Sequence, residues 1–163
     1  GPQGALIGHL ARANPQWKES DLAKLALVVF MGPDAYVSPS WYTEPATMVP
    51  TWNYATVHAY GPIDVVDDAA ASRGILETLV HRFESHRESP WELAMSEARV
   101  DALVGAIVAF RMRIRRIDAK FKLSQNRSRD DRVRVIEALE GEANPDSAAT
   151  ARWMRAYAAP DAS

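Results

Sequence analysis

Val49-Pro50-Thr51-Trp52-Asn53-Tyr54-Ala55-Thr56-Val57-His58-Ala59-Tyr60-Gly61 alternates with a period of two. Trp52, Tyr54, Thr56, His58 and Tyr60 fall on one side, and Thr51, Asn53, Ala55, Val57 and Ala59 on the other, the pattern of a pleated strand. Aromatic and β-branched residues suit that conformation. Pro50 is tolerated at the first position because no ladder donor is needed there, and Gly61-Pro62 reads as a stop. Two readings follow. The ring-bearing face stacks and hydrogen-bonds a flat ligand, or it is a barrel core face and its rings are packing.

Other strands surround this one. Residues 25–31 form a continuous apolar run closed by Gly32-Pro33-Asp34, and residues 35–42 alternate directly after it, with Pro39 marking an edge or a break. Residues 5–11 read as a strand running into Arg12-Ala13-Asn14-Pro15, a turn or short helix. Over residues 107–123 the apolar residues alternate but change phase at Arg115-Arg116, which predicts one long strand bent by a β-bulge. Helical spacing marks 72–87, capped by Ser72, and 96–103. It also marks 128–140, with a capping-box-like Ser128 and Asp131, and 146–158, capped by Asp146. Consecutive strands joined by short turns form an antiparallel meander, which closes naturally into a small barrel with the helices outside. The expected fold is α+β, a single domain over residues 1–163.

Composition narrows the class. The 163 residues are 47% hydrophobic and 25% charged, ordinary globular values that exclude disordered and collagen-like chains. Without cysteine there are no disulfides and no thiolate zinc site, which fits a reducing cytoplasm. The longest apolar runs are far shorter than the roughly 20 residues that span a bilayer, so a membrane partner is not expected. His81 and His86 are five apart, off the shared face a helical metal pair needs, and no metal site is expected. The net charge is −2, yet residues 111–134 hold ten basic and three acidic residues, a local +7 against −9 elsewhere. Such a belt suits a cofactor phosphate, a nucleic-acid backbone or the carboxylates of a partner, or it is simply solvated.

Four stretches in order carry a resemblance: His9-Leu10-Ala11-Arg12-Ala13-Asn14-Pro15-Gln16-Trp17, Tyr36-Val37-Ser38-Pro39-Ser40-Trp41-Tyr42, the 49–61 strand, and Lys120-Phe121-Lys122-Leu123-Ser124-Gln125-Asn126-Arg127. The sequence resembles the PaiB-like family of FMN-binding negative transcriptional regulators over nearly its whole length. The resemblance implies an antiparallel FMN-binding split barrel, usually a homodimer with the flavin at the subunit boundary. Relative to the family the chain starts just before the His9 motif, without the earlier strands. The 43–48 loop is short and carries Glu44 where the family pattern calls for a basic residue.

Two classes of function follow. In the first, a regulatory module binds FMN without turnover and has no catalytic residue. Arg12, Lys120 and Arg127 are then candidates for the phosphate, because a dianion needs forked or paired cations. Asn14, Gln125 and Asn126 suit the ribityl chain or ring edge, and Trp52 suits stacking on the isoalloxazine. The second class is a flavin-dependent oxidoreductase or a haem-handling enzyme of the same barrel, with His9 or His58 at the chemistry. A hydride-transfer enzyme needs no catalytic side chain of its own. Direct DNA binding through the basic belt is weaker, because Asp130, Asp131, Glu137 and Glu140 sit beside the arginines of the 128–140 helix.

Overall fold

The computed structural model describes residues 3–21, 24–92 and 94–157. It has six strands and five helices: β1 (Ala5–Ala11), α1 (Gln16–Glu19), β2 (Ala26–Val37), β3 (Thr51–Gly61), β4 (Ile63–Val66), α2 (Ala69–Glu84), α3 (Glu97–Gly105), β5 (Ile107–Arg113), β6 (Arg116–Lys122), α4 (Arg129–Gly141) and α5 (Pro145–Ala156). The strands form two three-stranded sheets, ordered β1-β5-β4 and β2-β3-β6. The fold is α+β with antiparallel sheets, as expected. Two compact units result, Gly1–Val28 with Ala59–Ile117, and Val29–His58 with Asp118–Ser163.

In the first unit β5 is the central strand, antiparallel to both neighbours, with Ala5 opposite Arg113 on one side and Ile63 opposite Met112 on the other. Ala59, Met112 and Ile114 are buried there, with Leu6, Ala26, Val28 and Ile63 packed around them. A short strand, β4, begins directly after Gly61-Pro62 has ended β3. Helix α2 begins earlier than its pattern suggested, because Asp68 is the cap: its Oδ1 accepts from the Ala71 N–H at 2.7 Å. Ser72 lies inside the helix, its hydroxyl donating to the Val66 carbonyl at 3.1 Å.

The second unit packs α4 and α5 on a core of Val37, Tyr42, Leu123, Val135, Ile136, Leu139, Ala151 and Met154. The cap of α4 is Ser128, whose Oγ accepts from Asp131 N at 3.1 Å. The cap of α5 is Asn144 rather than Asp146, its Oδ1 accepting from the Asp146 N–H at 3.0 Å. The predicted end of that helix at Ala158 lies outside the described residues. Arg155 grips Glu140 with two bonds of 3.0 and 2.9 Å, joining the two helices.

Two strand predictions need correction. Residues 25–31 and 35–42 are not separate strands, because β2 runs through Gly32-Pro33-Asp34 to Val37. A proline is compatible with an edge strand, which β2 is, since its missing N–H costs no ladder bond on the outer side. Beyond Val37 the chain leaves the extended form in a 3-10 turn, Pro39–Trp41, capped by Ser38. Likewise residues 107–123 are not one bulged strand. Just before the phase change at Arg115-Arg116, at Ile114-Arg115, the chain passes from the β1-β5-β4 sheet to the β2-β3-β6 sheet, with Ile114 buried and Arg115 N donating to Tyr60 O at 2.8 Å.

Asp131 also reaches across the sequence. Its Oδ1 accepts from both the backbone N–H and the hydroxyl of Thr43, each at 2.9 Å, tying the loop after β2 to α4. These bonds hold its carboxyl below the ordinary range, the Thr43 N–H first among them, with Ser128 and the charge of Arg127 adding to the effect. A depressed folded pKa contributes stability above the unfolded value of about 3.9 and loses it as the pH falls through the folded value. Asp131→Asn is therefore expected to cost about 1–2 kcal/mol at neutral pH, with the gap to wild type narrowing below pH ~4. Urea denaturation across pH reads this, and a gap independent of pH would show that the charge is irrelevant.

Candidate functional site

Strand β3 presents the face question first. Asn53, Ala55 and Ala59 are buried, whereas Tyr54, Thr56, His58 and Tyr60 are half-buried and Trp52 is 52% exposed. The small-residue face is thus the core face. Close approach on that face favours alanine: the Cβ of Ala55 lies 3.1 Å from where a Cβ on Gly32 would stand. The Trp52 indole meets only the edge of Tyr36 among described ring contacts, at 6.0 Å and 76°.

The turn after β6 lies beside this strand. Asn53 Nδ2 donates to Ser124 Oγ at 3.0 Å, and that hydroxyl sits 3.2 Å from Asn53 Oδ1, both residues being buried. Ser124 has φ +61°, a left-handed conformation that reverses the chain into Gln125-Asn126-Arg127. Arg127 N donates to Ser124 O at 3.0 Å, and its guanidinium lies 5.3 Å from the centre of the Tyr42 ring. Gln125 is spent on its own turn, its Oε1 accepting from Leu123 N and its Nε2 donating to Phe121 O, both at 2.8 Å. Asn126 and Lys120 are exposed.

Lys122 was missed by sequence reasoning. Its Nζ contacts Thr51 Oγ1 and donates to the Trp52 backbone carbonyl at 2.9 Å, tying β6 to β3. The only sequence signal was its position on the alternating strand, which Lys120 shares. His58 lies on β3 six residues beyond Trp52, roughly 20 Å of strand. It does not share the Trp52 end of the strand.

In the first unit His9 is exposed on β1, not a core histidine. Arg12 donates from Nε to Gly105 O and from Nη2 to Ile107 O, both at 2.7 Å, so it latches the end of β1 to the α3–β5 turn. Asn14 Oδ1 accepts from Gln16 N at 2.9 Å and opens α1. Both side chains have structural bonds where the sequence suggested ligand bonds. A guanidinium has five donors, so Arg12 keeps further N–H groups.

The second unit thus holds Trp52 exposed on β3 and Lys120, Asn126 and Arg127 on β6 and the turn after it. Residues 1–116 match the family model described as "Putative FMN-binding domain". The chain is also 38% identical over 152 residues to the protease synthase and sporulation protein PAI 2 of Bacillus subtilis, covering 91% of this chain and 71% of that protein. The chain belongs to the PaiB-like family. It carries that family's FMN-binding domain, so its cofactor is FMN.

An uncharacterised Aspergillus fumigatus protein is 35% identical, with 84% of this chain and 66% of that one aligned. Among solved structures, the FAD and heme binding protein of Mycobacterium smegmatis superposes with a TM-score of 0.53 at 20% identity, over 79% of this chain and 58% of that one. This likeness is one of fold, the split-barrel class. Among the described residues no helix is long and apolar enough to cross a membrane, and no group of three or more potential metal ligands occurs.

Proposed function

We propose that this PaiB-like chain is a cytoplasmic regulatory module that binds FMN and performs no turnover of its own. The observation that carries the proposal is the family match over residues 1–116, joined to similarity with a Bacillus protein named for protease synthesis and sporulation. When bound, FMN supplies redox chemistry and a coloured reporter of occupancy. The chain's part is to hold it. Lys120 and Arg127 take the phosphate, Asn126 contacts the ribityl chain, and Trp52 stacks on the ring system.

The test compares two ligands. Arg127→Ala is expected to weaken FMN binding by about 1.5–3 kcal/mol, the scale of a hydrogen bond to a charged group, while riboflavin, which lacks the phosphate, is nearly indifferent. Equal losses for both ligands, or no flavin binding by wild type, end the assignment. Reduction of the bound flavin by a nicotinamide with steady turnover would instead make the chain an oxidoreductase.

The module works as a homodimer in this reading. β2 is an edge strand with Leu27, Val29 and Met31 exposed, and Leu25 just before it is exposed too, an apolar row that a second copy would cover. Light scattering is expected to give twice the 18.0 kDa chain mass at micromolar concentration. A monomer mass there would remove the dimer. Direct DNA reading by α4 is not part of the proposal, given the acids along that helix.

A further inference from the structure

Helices α2 and α3 enclose a second cleft in the first unit, apart from the residues proposed for FMN. Its volume is about 700 Å³, within the range of roughly 300–1,000 Å³ typical of small-molecule sites. The floor is apolar: Leu76 and Val80 from α2, Val100 and Leu103 from α3, and Ile107 at the start of β5. Trp91 stands at the mouth, 48% exposed, and its backbone N–H is held by Glu84 Oε2 at 2.9 Å. That bond fixes the indole's segment to α2.

The rim decides the ligand class. Glu77, Glu84 and Glu92 line it together with His9, His81 and one cation, Arg73. Arg73 is already matched, by Glu77 at 2.9 Å and by Glu97 at 2.5 Å, and Glu84 carries Arg87 at 3.2 Å. Counting these partners, four carboxylates face two guanidiniums around an apolar floor. An apolar floor edged by surplus negative charge, with an indole in its lining, disfavours anions. It favours a cation whose substituents fill the floor and whose charge meets the ring face and the carboxylates.

We propose that the α2–α3 cleft binds a lipophilic monocation, an amine or onium ion carrying aromatic or aliphatic groups. The probe pair is tetraphenylphosphonium and tetraphenylborate, nearly equal in size and opposite in charge. Calorimetric titration of the purified chain at pH 8 is expected to show the phosphonium binding at least tenfold more tightly than the borate. Leu103→Trp, which fills the floor from a partly exposed position, should weaken phosphonium binding at least tenfold, with Val80→Trp as the alternative if that variant fails to fold. Glu92→Gln should reduce the cation-to-anion preference at least threefold, a readout that a purely structural role for Glu92 would not move. No phosphonium binding, equal affinity for the two ions, unchanged binding in the filled variant, or an unchanged preference in Glu92→Gln would each overturn the proposal. Because the probes are not flavins, failure here leaves the FMN reading standing.

Discussion

Replacing Gly61 with alanine is expected to destabilise the chain by about 3 kcal/mol, near the top of the usual overpacking range, and to lower its melting temperature by roughly 6–12 °C. A Cβ at this position would stand 2.0 Å from Arg113 O and 2.9 Å from Arg113 C. Both atoms belong to the backbone of β5, the central strand of its sheet. Retreat is blocked on the far side, where Arg113 pairs with Ala5 and Ile114 N donates to Gly4 O at 3.2 Å. Gly61 cannot retreat either without pulling on the neighbouring bond from Arg115 N to Tyr60 O. The control is Gly74→Ala inside α2, where an added Cβ meets nothing within 4 Å. That change should stabilise by roughly 0.5–1 kcal/mol, because alanine is the better helix former. Differential scanning calorimetry of both variants tests the pair, and a Gly61→Ala protein as stable as wild type would mean that the approach of the two strands is not tight.

The same glycine shows what sequence can carry. Gly61-Pro62 was legible as punctuation, and it does end β3, but periodicity cannot say that the glycine is required by a backbone passing 2.0 Å from its missing Cβ. Strand existence was legible wherever alternation was strong, as in β1, β3 and β5. Strand continuity was not. Gly32-Pro33-Asp34 has the local chemistry of a stop, yet whether a proline breaks a ladder depends on which side of the strand has a neighbour, a tertiary fact. At Arg115-Arg116 a one-residue phase change looks the same in sequence whether it is a bulge or a transfer between sheets.

The candidate site was legible in residue type more than in role. Trp52 lies on an exposed face of β3, and Asn126 and Arg127 sit on the turn after β6. Gln125 spends its amide on its own turn, as polar side chains near turns often do, whereas Arg12 bonds the carbonyls of Gly105 and Ile107, 93 and 95 residues away, which no local pattern reveals. Lys122 is indistinguishable from Lys120 by pattern, and only the register of β6 beside β3 sends its ammonium to the Trp52 carbonyl.

Asn53, placed on the small face by alternation, anchors β3 to the turn after β6. It is 1% exposed and bonds Ser124 through both ends of its amide, with Met154 Sδ 3.3 Å from Nδ2. Asn53→Ala removes those bonds, opens a small cavity and leaves the buried Ser124 hydroxyl without its partner, for an expected cost of about 2–4 kcal/mol. Ser124→Ala is the proper second arm, since serine and alanine bear the same Cβ and the strain of φ +61° is common to both. The double variant should cost less than the sum of the single ones by about 1 kcal/mol, because the orphaned hydroxyl is gone. The flavin readout separates local geometry from bulk stability. Asn53 adjoins Trp52, and Ser124 opens the turn that carries Asn126 and Arg127, so Asn53→Ala should weaken FMN binding even well below its own melting midpoint. Leu139→Ala, in the same core at 0% exposure, is destabilised by a comparable amount, about 2–5 kcal/mol, but leaves that turn's bonds in place. It should bind FMN nearly as wild type does. If both variants lose flavin equally at matched distance from their midpoints, Asn53 acts through stability alone and the turn is not the element it positions.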